Sequence, residues 1–491
     1  MTYLQELRTQ PRELYILSII EMFERFAFFG VRSLLILYMT GELLFSDQHS
    51  FCLYGTFMAL TYATSILGAV LCDLVLGKRH AIILGSTLMC IGYGLLALNS
   101  GLFFYGALCF LAVGSGFFKP NIMAFVGSIY PKNNSHRDAG FTLFYVAINI
   151  GGFIAPLLCG YIGFRYGWTY AFLLALSTMA TGLILMIKEF SEPIILLPQA
   201  KKFNLKHAAY IVVLLSIPLS YIVLIKCAYM NYMMSLVALG TASAFIALFV
   251  RSTLEERKAL IGISTLMVFS IAFFALYEQA GSSLTLFAER NVDRQVFGFS
   301  IPTGQLQSLD PAFIILLGPL FAQLWIYLSR TNRDPFPPIK FALGLFQVGL
   351  GFIALVVGIK LTDSHHIALS WLILAYLLHT SGELCISPVG LSMITKLAPK
   401  RIVSMTVSLW FLVLSFGHYV AGFIAQLSSA PQSLHKTKDP AVFLPIYEQA
   451  FLKTAFIAFI LGGLLFCISF KLKPIFEKLN RKTNLPLAHN E

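Results

Sequence analysis

The sequence predicts an all-α polytopic membrane protein of 6+6 transmembrane helices with an inserted two-helix hairpin, fourteen helices in total. Three observations carry that expectation. The 491 residues are 57% hydrophobic and only 12% charged, and the mean hydropathy is +0.78, which departs from the balance of a soluble chain. Apolar stretches of about 20 residues, the length that crosses a bilayer, recur from end to end. Most of the 35 Lys and Arg residues fall in alternate loops and at both ends, the positive-inside asymmetry of membrane insertion.

The first six stretches begin near Tyr15, Phe51, Ala81, Leu102, Gly140 and Trp168. Two follow near His207 and Asn231, and six more near Leu260, Pro311, Ile339, Ile367, Ile402 and Phe451. An even number returns the chain to its starting side. Lys78, Arg79, Lys201, Lys202, Lys400, Arg401 and the run from Lys471 to Lys482 make that side the cytoplasm. Pro131–Asn134, Asp334–Pro338 and Ser429–Pro431 punctuate the stretches, with polar connectors at Lys132–Asp138 and Ser191–Lys206. The middle pair has no acidic residue between His207 and Val250, and Lys226 is its base. It reads as a hairpin without chemistry beside two functional halves. The expected division is residues 1–190, an N-terminal bundle; 191–257, linker and hairpin; 258–474, a C-terminal bundle; and 475–491, a cytoplasmic tail.

The first stretch breaks the apolar pattern. Glu21, Glu24, Arg25 and Arg32 lie inside it, although a charge at the bilayer centre costs about 3 kcal/mol on insertion scales. Glu21, Arg25, Phe28 and Arg32 are spaced four, three and four apart and so share one helical face. That face must look into a polar cavity. A signal peptide has an uninterrupted apolar centre and a small-residue cleavage site, and this stretch has neither.

Few other ionisable residues sit at membrane depth: Asp73, Lys119, Glu278, Asp310 and Glu383, with Lys453 snorkelling from a helix end. Arg25, Arg32 and Lys119 make the N-terminal wall basic, while Glu278, Asp310 and Glu383 make the C-terminal wall acidic. A cavity between opposite walls suits a zwitterion, carboxylate to one side and ammonium to the other. Cavities of that kind lie near the midplane of transporters built from repeats. No basic arm interleaved with aromatics appears, so nucleic acid is not an expected partner. The eight cysteines sit mostly singly in apolar runs, which implies neither a disulfide framework nor a metal site. No metal-ligand spacing and no nucleophile elbow suggests an enzyme, and no cofactor is expected.

Six motifs then occur in order. They are Glu21-Met22-Phe23-Glu24-Arg25-Phe26; Gly68–Asp73 closed by Gly77-Lys78-Arg79; Gly114–Asn121, containing Lys119-Pro120-Asn121; Phe144–Gly151; Glu278–Ser283; and Gly382–Ser392. In these the chain resembles the proton-coupled oligopeptide transporter (POT/PTR) family of the major facilitator superfamily, and its inserted pair resembles prokaryotic members. The resemblance implies proton symport of di- and tripeptides by alternating access across a bacterial inner membrane. It implies that Arg25 and Lys119 hold the peptide carboxylate, with Arg32 close by. Glu383 would bind the ammonium, helped by Asn149 and Asp310. Tyr62 and Trp410 would be pocket aromatics, and Ser387 a pocket hydroxyl. Arg32–Glu278 and Lys119–Glu383 would be gate pairs, and Glu21, Glu24, Arg25, Arg32 and Glu278 would couple protons.

Four residues depart from the family's pattern. Phe28 and Phe29 stand where two tyrosines are usual, Asp310 where asparagine is usual, and Gly55 where animal members have histidine. Coupling is therefore expected to rest on carboxylates, with Asp310 as an added acid. His379, four residues before Glu383, could tune it, and His418 reads as a satisfied core group. Asp73 is expected to lock a helix end, and Gly114 and Gly116 to let helices pack closely. The expected partners are short peptides, protons and membrane lipids, and the expected unit is a monomer. The alternatives are a proton-coupled transporter of another small nitrogenous compound, or a non-transporting peptide sensor.

Overall fold

A computed structural model describes residues 10–130, 137–190, 203–331, 333–363, 365–397, 403–431 and 439–483. Lys201, Lys202, Lys400, Arg401, the side chain of Lys482 and most of the two polar connectors lie outside the described residues.

The first bundle comprises α1 (Arg12–Gly41), α2 (Asp47–Leu71), α3 (Lys78–Ala97), α4 (Gly101–Ile129), α5 (Arg137–Tyr166) and α6 (Trp168–Glu189). The hairpin is α7 (Phe203–Ile225) and α8 (Ala228–Val250). The second bundle begins with α9 (Leu254–Tyr277), which passes through a 3₁₀ turn at Glu278–Gly281 into α10 (Ser283–Asn291) and so makes one crossing. It continues with a 3₁₀ turn at Thr303–Ser308 and α11 (Leu309–Arg330), then α12 (Pro337–Lys360), α13 (Leu369–Leu397), α14 (Val403–Gln426) and α15 (Pro440–Thr483). Among the described residues, 13 helices are long and apolar enough to cross a membrane. The crossing that fails this test is α1, because Glu21, Glu24, Arg25 and Arg32 lie within it.

Local chemistry sets the helix starts. Ser46 accepts a hydrogen bond from the His49 N–H and caps α2. Thr253 and Glu256 form a reciprocal capping box at α9. Pro337 and Pro338 open α12, where their missing N–H groups cost nothing. Most predicted starts fall within a few residues of these helices. The exception is α15, which begins at Pro440 rather than near Phe451 and runs past Pro474 to Thr483. Its first turns carry Tyr447 and Glu448, which hid them from a hydropathy reading. The expected tail is thus helical up to Thr483.

On the face opposite the termini, β1 (Val292–Asp293) pairs in parallel with β4 (Ile367–Ala368), and β2 (Gln295–Val296) forms a small hairpin with β3 (Phe299–Ser300). The hairpin helix α7 packs on α4 and α2, whereas α8 buries little of its surface, as a lipid-facing helix does. An apolar cavity of about 330 Å³ lies between α8, α9 and α14, lined by Phe245, Met267 and Phe416 and away from every charged residue described below.

Backbone contacts through glycine hold the first bundle tightly. A Cβ on Gly68 would lie 2.2 Å from the Gly116 carbonyl oxygen, and Asn121 donates to the Gly68 carbonyl at 3.2 Å. This is the close-packing role expected of the Gly114/Gly116 pair. Asp73 is exposed in a widened helical turn, Cys72–Leu76, and no ion pair to it is found among the described residues, contrary to the expected lock. Overpacking costs about 1–3 kcal/mol where neighbours can yield, and here the neighbour is backbone. Gly68→Val is therefore expected to lower the thermal midpoint of the detergent-solubilised protein by several degrees, readable by fluorescence-detected size exclusion after heating.

Candidate functional site

The charged face of α1 is buried between the bundles. Gly151 of α5 lets the two backbones touch, since a Cβ there would lie 2.5 Å from the Met22 carbonyl oxygen. This contact turns Glu21, Glu24 and Arg25 inward together. Arg25 pairs with Glu21 at 3.2 Å and with Glu24 at shorter range. Its guanidinium also lies 5.3 Å from the Phe28 ring centroid and 6.0 Å from that of Phe29.

Lys119, from α4, meets the same face. Its side chain is buried, 7% exposed, and its Nζ has no hydrogen-bond partner. The ammonium rests instead on ring faces, 3.9 Å from the Phe28 centroid and 4.6 Å from that of Tyr62. Cation–π contact in a desolvated setting contributes about 2 kcal/mol, less than the cost of burying an unpaired ammonium. A buried cation held in this way can accept an anionic ligand. Phe28 and Phe29 therefore serve as platforms for cations where hydroxyls would otherwise stand.

One helical turn further on, Arg32 crosses to the second bundle. It donates to Glu278 at 2.5 Å and to the Tyr54 hydroxyl at 3.1 Å, and its guanidinium lies 5.5 Å from the Phe29 centroid. His418 was expected to be a satisfied core group. It is buried, with Nε2 3.7 Å from the other oxygen of Glu278 and its ring stacked on Tyr62, centroids 4.9 Å apart. Gly55 makes room for this arrangement, because α2 and α14 meet there, backbone to backbone, at Gly55 and Gly422.

The helix break at Glu278 sends consecutive residues in different directions. Glu278 faces Arg32, while Tyr277 faces the remaining acids. The Tyr277 hydroxyl lies 2.5 Å from Asp310 and 2.6 Å from Glu383. Thr380 donates to Asp310 at 2.8 Å, and Ser387 to Glu383 at 3.2 Å. Asn149 donates to the Tyr145 carbonyl of its own helix. A series of side-chain contacts thus runs from Lys119 through Tyr62 and His418 to Glu278, and the preceding residue, Tyr277, meets Glu383.

Other predicted residues take different places. Trp410 packs inside the second bundle, edge-on to Phe274 and against Gly390. His379 faces α12, with its ring 4.8 Å from that of Phe352. Lys119 and Glu383 have separate partners here, because α4 and α13 are not packed on each other. One functional pair escaped the sequence reading. Asp47, 0% exposed, holds Arg290 through two contacts of 2.7 and 2.8 Å and accepts the Ala430 N–H at 3.2 Å. Each residue sits at a helix end, where isolated charges normally meet water. Only their joint placement reveals a second latch between the bundles.

A two-bundle helical membrane protein with a buried basic wall facing a buried acidic one is a secondary transporter by its build. The PTR2: POT family domain matches residues 79–440, and the chain belongs to that family. It is 33% identical over 462 residues to "Dipeptide and tripeptide permease B" of Aliivibrio fischeri (strain MJ11), which covers 91% of this chain and 92% of the relative. It is 32% identical over 487 residues to "Dipeptide and tripeptide permease A" of Klebsiella pneumoniae (strain 342), with 96% and 93% covered. A crystal structure of a POT peptide transporter in complex with sulfate superposes with a TM-score of 0.82 at 30% identity, covering 95% of this chain and 96% of that one. A POT family transporter in complex with 5-aminolevulinic acid gives 0.80 at 27% identity, with 94% and 97% covered. The relatives are permeases and transporters, not enzymes.

Removing one partner of a buried ion pair costs about 3–5 kcal/mol. Asp47→Asn is expected to loosen the face opposite the termini. In a background with the eight native cysteines replaced, maleimide labelling of Thr303→Cys should then rise several-fold.

Proposed function

We propose that this chain imports di- and tripeptides with protons by alternating access. The observation that supports this most directly is the Lys119 ammonium, free of hydrogen bonds and joined through Tyr62 and His418 to Glu278 on the opposite bundle. The permease names of relatives covering nearly the whole chain point to the same substrates.

In this reading the peptide carboxylate docks on Lys119 and draws on Arg25, while the peptide ammonium docks at Glu383 and Asp310. A carboxylate that loses its guanidinium partner in an apolar setting takes up a proton. Glu21, Glu24 and Glu278 are placed to do so when the substrate competes for Arg25 or Arg32. Arg32–Glu278 and Asp47–Arg290 join the bundles toward the face opposite the termini and would have to part for that face to open. Lys119 and Glu383 would pair when the opposite face opens. The Lys and Arg distribution supports cytoplasmic termini in a bacterial inner membrane. Both walls lie on one chain, which supports a monomeric transport unit needing no cofactor.

A second reading has its own support. Asp310 adds a carboxyl group at the ammonium end, Phe28 and Phe29 present no hydroxyls, and a POT family transporter was solved with 5-aminolevulinic acid. Other amino-bearing carboxylates are therefore candidate substrates, and a competition panel in proteoliposomes ranks them against dipeptides.

Proteoliposomes with an inward proton gradient should accumulate labelled dipeptide, and absence of both accumulation and counterflow would defeat the proposal. Glu278→Gln should reduce gradient-driven uptake at least tenfold while counterflow persists. Lys119→Gln removes a charged hydrogen bond worth about 1.5–3 kcal/mol. It should weaken dipeptide binding roughly 10- to 150-fold and leave the already weak binding of peptide amides nearly unchanged, as calorimetry can measure.

A further inference from the structure

Two carboxyl groups converge on one phenol. The Tyr277 oxygen lies 2.5 Å from Asp310 Oδ1 and 2.6 Å from Glu383 Oε2. Both distances belong to short O–H···O bonds. A phenol carries one hydrogen and can donate it once. If both acids were ionised, one of these contacts would join two lone pairs with no hydrogen between them. Tyr277 itself is buried, 5% exposed, with its ring stacked on Phe273 at 5.5 Å, while Asp310 and Glu383 are half-buried.

The remaining bonds assign the second hydrogen. Asp310 Oδ1 already accepts from Thr380 at 2.8 Å, so it is the acceptor end of the Tyr277 hydroxyl. Glu383 Oε1 accepts from Ser387 at 3.2 Å, which leaves Oε2 to carry a hydrogen and donate it to the phenol oxygen. No cation forms an ion pair with either acid among the described residues. The charged and titratable groups nearest them are Glu278 beside both acids, Arg32 and Tyr376 toward Asp310, and Tyr145 from α5.

We infer that Asp310, Tyr277 and Glu383 hold one proton in the empty transporter and give it up to the cavity water when a substrate ammonium arrives. The exchange balances: the Glu383 O–H bond breaks, its proton leaves to water, and the ammonium takes its place as the positive partner of the two acids. The site is distinct from the Arg32–Glu278 pair. It exists because an acid stands at position 310, for with a neutral side chain there the Tyr277 hydroxyl satisfies an ionised Glu383 alone. The inference rests on the proposal that the ligand's ammonium docks at this end.

The test is the pH dependence of dipeptide affinity, measured by calorimetry on detergent-solubilised wild type and Asp310→Asn. One proton displaced on binding changes the dissociation constant tenfold per pH unit. The affinity of the wild type should therefore rise with pH about tenfold per unit more steeply than that of Asp310→Asn. Identical slopes in two proteins that both bind dipeptide would overturn the shared proton and leave the transport proposal intact. Wild type that binds no dipeptide at any pH would defeat the transport proposal instead. Difference infrared spectroscopy reads the same event without a variant. Adding dipeptide to wild type should bleach a protonated-carboxyl C=O band, while an N-acetylated dipeptide should leave it. A spectrum without that loss likewise overturns the inference.

Discussion

The bond from Arg32 to Glu278 is the constraint on which the other charged groups depend. It joins the two bundles at membrane depth, where an unmatched charge costs several kcal/mol. Any motion that separates the bundles on that face must first give Arg32 or Glu278 another partner. A carboxylate can neutralise itself with a proton, whereas a guanidinium cannot be deprotonated and needs another anion. Opening is thereby tied to proton and anion supply. His418, 3.7 Å from Glu278 and stacked on Tyr62, connects this bond to the Lys119 pocket through side chains in contact.

The rest of the site shows what each wall contributes. In the first bundle the two acids Glu21 and Glu24 surround Arg25, while Lys119 remains free of hydrogen bonds. The positive charge available to a ligand is therefore that of Lys119 rather than that of the whole basic wall. In the second bundle Asp310 and Glu383 share a phenol, so their negative charge is less than two carboxylates would suggest. Both walls carry smaller effective charges than their composition.

Much of this was legible in the sequence, because the bilayer imposes simple rules on length and charge. Among the described residues the apolar stretches became helical crossings, and Glu21, Arg25 and Arg32 are buried in ion pairs along one helix. What stayed hidden was pairwise. Asp47 and Arg290 each lie at a helix end, 243 residues apart, and neither breaks an apolar run. Tyr277 is an ordinary aromatic in a sequence rich in them, and only its two oxygen neighbours give it a role. His418 looked inert because nothing within one turn of it is charged, yet Glu278 reaches it from α9. Trp410 is one of 4 tryptophans, and in this conformation its ring fills a gap beside Gly390.

The 3₁₀ turn at Glu278–Gly281 explains how one segment serves both ends of a ligand. In a continuous helix, adjacent side chains diverge by about 100° but stay on one regular surface. Here the turn tightens after Tyr277, and Gly281 brings the chain against Tyr54, where a Cβ would lie 1.9 Å from the Tyr54 hydroxyl. The first bundle can therefore approach closely enough for Arg32 to reach Glu278, while Tyr277 stays directed into its own bundle. The gate bond and the shared carboxyl site are thus adjacent in the chain, one peptide unit apart.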